Sequence, residues 1–157
     1  MDEDTVPVEM QDFELSDAVL DTAEPFIPLA ASRGKTLTLQ IEPGIRFHGN
    51  ETMIRQLVSL LLDNAVKYSD EGGRILLSLC VHTKGCLLTV TNSVSAIKPG
   101  RHDELFERFY RPDNSRSKET GGFGIGLSVA YAIVGTHKRK ISAKSEDGAS
   151  LTISVRL

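Results

Sequence analysis

The sequence predicts an α/β domain of the α+β kind, in which one mixed sheet carries helices on a single face. Segments typical of strands and of helices are interspersed along 157 residues, a length that suits one domain with its own core. The strand segments alternate apolar and polar side chains, as in "SLTISVRL" at the end of the chain. A sheet covered on both faces would instead give continuous apolar runs, so the alternation predicts one buried face and one solvated face.

The first helix-like segment, "FELSDAVLDTAEPFIPLAASRGK", contains two prolines. Ser16 is its expected N-cap, and Gly34 lies near its expected end. Pro25 and Pro28 fall inside the segment, so this helix should be kinked or broken. The alternating stretch "TLTLQI" that follows predicts a strand.

The clearest helix extends from Asn50 to Ser69, because its apolar residues recur at three- and four-residue spacing. These residues are Ile54, Leu57, Leu61, Ala65 and Tyr68. The break "DEGG" ends this helix and separates it from the strands that follow.

Two strands, "RILLSLCVH" and "CLLTVTN", come next, and Lys84-Gly85 is the predicted two-residue turn between them. The first strand places Ile75, Leu77, Leu79 and Val81 on one face. Counting across the turn places Leu77 opposite Asn92, which directs Asn92 to the buried face. A polar amide on that face needs a hydrogen-bond partner.

The second half of the chain predicts one short helix, one long helix and a hairpin. "DELFERF" is the short helix, and the long one runs from Gly122 to His137. "KISAK" and "SLTISVRL" form the hairpin around Asp147-Gly148. The long helix should bury the side that carries Ile125, Val129, Ala132, Ile133 and Thr136.

Composition excludes several classes of protein. The formal net charge of -3 argues against a nucleic-acid partner. No apolar run is long enough to span a bilayer, so we expect no direct membrane contact by this domain. Cys80 and Cys86 are interpreted as small buried residues in a reducing compartment. Residues 1–11 are interpreted as an N-terminal tail or linker remnant, and residues 12–157 as the domain.

Four glycines lie at and around the start of the long helix, at positions 121, 122, 124 and 126. Backbone N–H groups at a helix start form an anion site, and phosphate is its natural ligand. A flexible loop with a tight helix entry explains the same glycines, and this motif alone does not decide between the two. Leu127 breaks the dinucleotide fingerprint, and "RGKT" lacks the glycine that a P-loop requires, since that position is Leu29.

Three polar residues fall together on the clearest helix: Asn64, Lys67 and Tyr68. An amide oxygen suits Mg²⁺, a lysine suits phosphate, and a tyrosine ring suits a base or ribose. The alternative is a core amide bonded to backbone, with Lys67 paired to Asp63.

A polar run of loop length, "LFERFYRPDNSRSKETGG", leads into the glycine-rich start of the long helix and carries Arg111, Arg116 and Lys118. Cations on such a loop beside a phosphate site make a lid. A solvated charged loop is the alternative.

Taken together, these segments resemble the catalytic, ATP-binding domain of a bacterial sensor histidine kinase, within the Bergerat-fold ATPases. "LLDNAVKYS" resembles the asparagine box of that family, "LFERFYRPDNSR" its phenylalanine box and "GGFGIGLSVAYAIV" its second glycine box. The similarity extends from about Phe13 to Leu157. It implies a two-layer α/β sandwich with a mixed sheet of about five strands and three helices on one face.

The resemblance also implies roles for individual residues, with ATP and Mg²⁺ as the cofactors. Asn64 would bind Mg²⁺, Lys67 would approach the phosphates, and Tyr68 would lie on the adenine side. Arg111 and Arg116 would reach the terminal phosphate. The triphosphate would rest on the start of the long helix and the loop before it, on Gly122, Gly124, Gly126 and Leu127.

The chain departs from the family pattern at the first glycine box, which reads "NSVSA" here. Asn92 replaces the aspartate that accepts a hydrogen bond from the adenine amino group, and its amide oxygen can keep that contact. Val94 and Ala96 replace two glycines, which should make this wall stiffer and bulkier.

A second departure is Leu60, which stands where histidine kinases often carry an asparagine and hydrolysing relatives carry a catalytic glutamate. Leucine cannot activate water. His102, beside Asp103, is interpreted as a surface residue and not as a phospho-acceptor.

The sequence therefore predicts a kinase domain that donates the γ-phosphoryl of ATP to a histidine on a dimerisation hairpin absent from this chain. A response regulator is the further partner, and the domain would belong to the cytoplasmic portion of a membrane-anchored sensor. One alternative is a degenerate module that binds nucleotide weakly or not at all and acts through protein contacts. A stand-alone serine kinase of the anti-sigma type is the other, and the full phenylalanine box counts against it.

Overall fold

The computed structural model describes residues 8–107 and 126–157. Its main sheet has six strands in the spatial order β2-β4-β5-β8-β7-β6, and a separate ribbon pairs β1 with β3. The strands are β1 Gln11–Glu14, β2 Thr36–Ile41, β3 Arg46–Gly49, β4 Arg74–His82, β5 Gly85–Ser93, β6 Gly100–Arg101, β7 Lys140–Ser145 and β8 Ser150–Arg156. Strand β2 runs parallel to β4, and the other neighbours are antiparallel, so the sheet is mixed as predicted.

The helices form the second layer. They are α1 Leu15–Ala23, α2 Phe26–Ser32, α3 Glu51–Tyr68 and α4 Gly126–Thr136, with a 3-10 helix at Asp103–Phe106. Helix α3 is central, because it packs against α1, α4 and β5. The two-layer prediction is confirmed, and the sheet has one strand more than the five expected.

The core lies between α3 and the covered face of the sheet. Side chains alternate between buried and partly exposed along β4, β5 and β8, which places every second residue under the helices. The largest fully buried side chains include Leu57, Leu61, Leu77, Leu88 and Ile153. At about 25 cal/mol per Å² of apolar surface removed from water, this layer contact is the main stabilising term of the fold.

The first helix is broken at Pro25, as predicted, whereas Pro28 lies in the first turn of α2. Ser16 is not the N-cap of α1. Helix α1 begins at Leu15, and the N-cap position is Glu14. The hydroxyl of Ser16 instead donates to the Glu42 carbonyl at 2.6 Å and accepts from the Ile45 N–H at 2.9 Å. A serine hydroxyl can satisfy backbone groups of any neighbouring segment, and here it ties α1 to the loop between β2 and β3.

The predicted register of the central hairpin is wrong by two residues. The turn residues are Thr83 and Lys84, and Thr83 adopts a positive φ of 52°. Asn92 therefore lies opposite Ile75 and not opposite Leu77. Since side chains alternate with a period of two, this shift keeps Asn92 on the predicted face. Val81, expected on that face, lies at the open end of the strand and is 58% exposed.

The long helix also differs in part from its prediction. Helix α4 buries Leu127, Ala130, Ile133 and Val134. Ala132 and Thr136, which were expected on the buried side, are exposed. Ile125 lies outside the described residues.

The ribbon of β1 and β3 has no counterpart in the sequence-based prediction. Gln11, assigned there to the tail, begins β1 and lies opposite Gly49. The buried side chains Phe13 and Phe47 meet edge to face across this ribbon, with ring centroids 6.1 Å apart. Of the two cysteines, Cys86 is buried as predicted, whereas Cys80 is partly exposed.

Candidate functional site

The last turns of α3 present three half-buried polar side chains: Asn64, Lys67 and Tyr68. No described residue hydrogen-bonds to the carboxamide of Asn64 or to the hydroxyl of Tyr68. The Lys67 ammonium lies 3.2 Å from the Asp63 carboxylate. Within residues 8–107 and 126–157, the helix therefore offers an amide and a phenol that nothing else bonds, beside a lysine held by one exposed carboxylate.

The start of α4 lies beside the same helix. A Cβ added at Gly126 would lie 3.8 Å from Cδ2 of Leu60, an ordinary van der Waals distance. Leu60 precedes Asn64 by one helical turn, so the amino end of α4 lies against the face of α3 that carries Asn64. Leu127, 8% exposed, anchors this end of α4 in the core. The free N–H groups and dipole of a helix start favour a bound anion.

Asn92 occupies the end of β5 on the covered face of the sheet, where it is 2% exposed. Its Nδ2 donates to the carbonyl of the adjacent Ser93 at 3.1 Å. No described residue donates to its Oδ1. An amide oxygen in a folded protein normally accepts a hydrogen bond, so this acceptor is a candidate for contact with a ligand.

A second set of hydrogen bonds joins β5 to the loop after α3. The Ser93 hydroxyl donates to Oδ1 of Asp70 at 2.6 Å and accepts from the backbone N–H of Arg74 at 2.9 Å. The backbone N–H of Asp70 donates to the Ser93 carbonyl at 3.1 Å. Asp70 follows Tyr68 by two residues, so these bonds place the end of α3 next to Asn92.

Lys35 holds the carboxyl end of α3. Its ammonium donates to the carbonyls of Val66 at 2.5 Å and Ser69 at 2.9 Å. Burial and the neighbouring Arg33 lower the pKa of Lys35, and the Asp70 carboxylate acts in the opposite direction. A cation at the carboxyl end of a helix interacts favourably with the helix dipole and satisfies carbonyls that the helix leaves open.

The first glycine box is replaced here without strain. The N–H of Val94 donates to the Ala149 carbonyl at 3.0 Å, and that of Ile97 donates to the Gly148 carbonyl at 3.1 Å. Among the described residues, only Thr83 and Lys138 are non-glycine residues with positive φ. Val94 and Ala96 therefore use ordinary backbone conformations, so no position there requires glycine.

Four of the predicted site residues lie outside the described part of the chain. Arg111, Arg116, Gly122 and Gly124 fall in 108–125. The site as described thus consists of Asn64, Lys67, Tyr68, Asn92, Gly126 and Leu127.

His102, expected at the surface, is largely covered, with a side chain 14% exposed. Its ring nitrogens face the Lys98 carbonyl and the Glu104 carboxylate. His102 is covered because Gly100–Arg101 pairs with β7, which holds the following residues against the domain.

Three supporting residues were missed by sequence reasoning: Lys35, Asp70 and Ser93. Lys35 belongs to "RGKT", which was weighed only as a P-loop fragment. Its partners Val66 and Ser69 follow 31 and 34 residues later, a separation at which no periodicity signals a contact. A lysine just after the end of one helix remains a usable hint that it caps another.

Comparison with known proteins identifies the family of this chain. Residues 49–157 match the family described as histidine kinase-, DNA gyrase B-, and HSP90-like ATPase. The sensor histidine kinase RppB of Synechocystis sp. is 34% identical over 144 residues, which cover 91% of this chain and 32% of RppB. The signal transduction histidine-protein kinase BaeS of Escherichia coli is 34% identical over 127 residues, which cover 81% of this chain and 27% of BaeS.

Solved structures share the fold. The mycobacterial sensor histidine kinase MprB superposes with a TM-score of 0.77 at 22% identity, covering 95% of this chain and 97% of that one. Full-length ShkA, solved in complex with AMPPNP, gives a TM-score of 0.79 at 20% identity, covering 96% of this chain and 31% of that one.

The fold and the family match together define a Bergerat-type ATP-binding domain. The chain belongs to the histidine kinase-, DNA gyrase B-, and HSP90-like ATPase family, and its relatives place it with the catalytic domains of sensor histidine kinases. It spans about a third of the length of the curated relatives it matches, 32% of RppB for instance. Within residues 8–107 and 126–157, no helix has both the length and the apolar character of a membrane span.

Proposed function

We propose that this domain binds Mg-ATP and donates the γ-phosphoryl group to a histidine on a dimerisation hairpin that belongs to the same full-length protein. The observation that carries the proposal is the pair Asn64 and Asn92, at the same end of the molecule. Neither amide oxygen has a partner among the described residues, although Asn92 is 2% exposed. Amide oxygens in folded proteins normally accept a hydrogen bond or bind a cation, so these two oxygens fit a ligand that completes them.

Asn64 fits the role of magnesium ligand. No cluster of three or more His, Cys, Asp or Glu in the described ranges could hold a metal by itself. Magnesium bound to a nucleotide needs only one or two protein oxygens, because phosphates and water supply the rest. When bound, the ion would neutralise phosphate charge. The residues of this chain would orient the nucleotide and balance the remaining charge.

The other predicted residues complete the site. Asn92 would accept from the adenine amino group, with Tyr68 on the same side. Lys67 would leave the Asp63 carboxylate and bind a phosphate group. Arg111 and Arg116 would also contact the phosphates. Gly122, Gly124, Gly126 and Leu127 would bring the start of α4 and the segment before it to the triphosphate.

Leu60 favours transfer over hydrolysis. It packs against the core and lies beside the start of α4. An aliphatic side chain there offers no base for a water molecule, so the phosphoryl group would remain available for a protein acceptor.

The partners and location follow from the class of protein. We infer that the hairpin and a response regulator are the protein partners, and that the domain lies in the cytoplasmic portion of a membrane-anchored sensor. Support comes from the relatives, which are sensor kinases. One superposed structure is described as the cytoplasmic segment of the histidine kinase QseC.

Calorimetry with Mg-ADP tests the nucleotide site. We expect micromolar binding to the chain, weakened at least about tenfold in Asn64→Ala, because a charge-assisted contact is lost. Gln56→Ala is the matched control, since Gln56 is exposed on the same helix. Phosphoryl transfer is then tested with the hairpin of the same protein, Mg-ATP and acid-labile phosphate on histidine as readout.

Two results would contradict the proposal. No heat up to millimolar nucleotide would favour the degenerate module that acts through protein contacts. Unchanged binding in Asn64→Ala would remove Asn64 from the metal site.

A further inference from the structure

A cavity of about 420 Å³ lies at the end of the sheet where the hairpin of β4 and β5 turns, and we call it the hairpin cavity. Gly85 and Cys86, at the start of β5, line it, whereas Asn92 lies near the other end of the same strand. At about 3.3 Å per residue, the distance along β5 from Cys86 to Asn92 is about 20 Å. The hairpin cavity is therefore separate from the proposed nucleotide site.

Much of the lining of the hairpin cavity is apolar. Phe47, Cys86 and Leu157 contribute buried side chains, and Val81 contributes an exposed one. Burial raises the pKa of the Cys86 thiol to about 11, although the charge of Arg139 acts in the opposite direction. The thiol is therefore neutral and behaves as part of the apolar lining. Clefts that bind small molecules combine such a lining with a few polar groups that fix the ligand.

Two cations that line the cavity have no carboxylate partner. The Lys84 ammonium and the Arg139 guanidinium make no hydrogen bond or ion pair with any residue in 8–107 or 126–157. Arg139 is nevertheless held in place, because its Cζ atom lies 5.6 Å from the centroid of the Phe47 ring. A guanidinium presents its N–H donors in one plane, which matches the two oxygens of a carboxylate.

The other two basic residues of the lining are already engaged. The Arg46 guanidinium lies 4.0 Å from the Glu14 carboxylate, and Nδ1 of His48 lies 2.8 Å from the Asp12 carboxylate. The free binding capacity for an anion therefore lies on the side of the cavity that carries Lys84 and Arg139.

The acidic groups nearby are fewer than the cations. One oxygen of the Glu42 carboxylate accepts from the Val81 N–H at 3.0 Å, and the carboxyl group of Leu157 lies beside Gly85. Exposed Lys140 and Arg156 lie opposite each other on β7 and β8 and add to the two free cations. A cleft with an excess of one charge on its walls attracts ligands of the opposite charge.

We propose that the hairpin cavity binds a small organic anion, with an apolar body of one or two rings that ends in a carboxylate. Arg139 and Lys84 bind the carboxylate, and the apolar lining contacts the rings. An inorganic anion would leave the apolar lining in water, and a neutral hydrocarbon would leave both cations unpaired. A ligand that combines the two properties matches both parts of the cavity. This site does not depend on the proposed function, because it lies at the other end of β5.

Titration of the ¹⁵N-labelled chain with 2-naphthoate tests the inference, and 2-naphthylmethanol, with the same rings and no charge, is the matched probe. We expect naphthoate to shift the backbone amide signals of Val81, Lys84, Cys86 and Arg139, with a dissociation constant of about 1 mM or lower. The alcohol should bind at least about tenfold more weakly, because it cannot form the charge-assisted bonds. Equal affinity of the two probes would overturn the proposal, as would shifts confined to other regions or no saturation up to about 10 mM.

Variants then test the two cations. Arg139→Gln and Lys84→Gln should each weaken naphthoate binding at least about fivefold, because each removes a charged donor. Arg74→Gln removes the same charge from an exposed position at the other end of β4 and should leave affinity within about twofold. Lys84 is an exposed turn residue, so Lys84→Gln remains a valid test even if Arg139→Gln disturbs Phe47.

Mg-ADP binding in the same variants separates this site from the proposed nucleotide site. We expect the affinity for Mg-ADP to stay within about twofold in Lys84→Gln, since the two sites are far apart. Unmodified affinity for naphthoate in folded Lys84→Gln and Arg139→Gln would overturn the proposal. That outcome would leave the nucleotide site untouched.

Discussion

The two ends of α3 differ in how their polar groups are used. At the amino end, Oδ1 of Asn50 accepts from the Met53 N–H at 2.9 Å, and the Asn50 N–H donates to Nε2 of His137 at 3.1 Å. Nδ1 of His137 donates to the Ile133 carbonyl at 2.8 Å, so both ring nitrogens are satisfied. At the carboxyl end, the side chains of Asn64 and Tyr68 have no described partner.

The difference separates structure from function along one helix. The amino end forms a closed network that joins α3 to α4 and stacks His137 on Phe47, with ring centroids 5.9 Å apart. The carboxyl end is held by Lys35 and by the hydrogen bond between Ser93 and Asp70, yet no residue in the described ranges bonds to the Asn64 and Tyr68 side chains. A braced scaffold with unused hydrogen-bonding groups is the expected form of a binding site.

The largest effect should come from His137→Ala at the closed end. The change leaves the Asn50 N–H and the Ile133 carbonyl without these partners and opens a cavity beside Phe47. We expect a loss of about 2–4 kcal/mol in the free energy of unfolding, measured in urea. Mg-ADP affinity should stay within threefold, and the exposed neighbour Lys138→Ala is the control. Normal stability together with lost nucleotide binding in His137→Ala would show instead that the amino end of α3 serves the ligand and not the fold.

Lys35→Met should affect both properties, because Lys35 supports the open end. Two carbonyls of α3 lose their donor, which should cost about 1–2 kcal/mol of stability and weaken Mg-ADP binding severalfold. Thermal unfolding and calorimetry provide the two measurements. Arg33→Met, at an exposed position on the same loop, is the matched control. Weakened stability with unchanged binding would show that the last turn of α3 does not depend on Lys35 for its position.

A smaller gain in stability is expected from Lys138→Gly. Lys138 follows α4 with a φ of 57°, a left-handed conformation that glycine adopts without penalty. The substitution should stabilise the closed end by about 0.5–1 kcal/mol. The same change at Lys140, inside β7, should instead destabilise the domain, since glycine weakens strands. A loss of stability in Lys138→Gly would mean that the contacts of the lysine side chain stabilise the domain by more than its left-handed backbone conformation costs.

The smallest expected effect concerns the pH dependence of stability and depends on His102. The Lys98 carbonyl raises the pKa of His102, burial lowers it, and the hydrogen bond and charge of Glu104 raise it further, for a net increase above 6.5. The folded-state pKa therefore exceeds the unfolded one. The resulting stability is fully present below about pH 6.5 and is lost as pH rises through the folded-state pKa. Melting temperatures from pH 5.5 to 8.5 should show this decline, and His102→Gln should flatten it. An unaltered slope in that variant would assign the decline to another group.

The sequence predicted the elements that carry strong periodicity. Helix α3 was visible from its apolar spacing, and the predicted bounds Asn50 and Ser69 are the two cap residues of the observed helix. The buried side of β5 was also predicted, since alternation survives an error of two residues in register. Asn92 was thereby recognised as a buried amide that needs a partner before its neighbours were known.

What the sequence could not show depends on contacts between distant segments. The strands β1 and β3 have four residues each, too few for alternation to stand out. The partners Ser93 and Asp70 are separated by 23 residues and meet only because α3 folds back over β5. A pattern can identify the residue that reaches the ligand, whereas the residues that hold it in place emerge from the fold.

The edge strand β6 has a consequence for behaviour at high concentration. It spans only Gly100–Arg101 and pairs with Ser145 and Lys144, so it covers one end of the longer strand β7. A border strand of two residues offers few backbone groups for pairing with the sheet of another molecule. At this end of the border, edge-to-edge association between copies should be hindered even when many copies are crowded together.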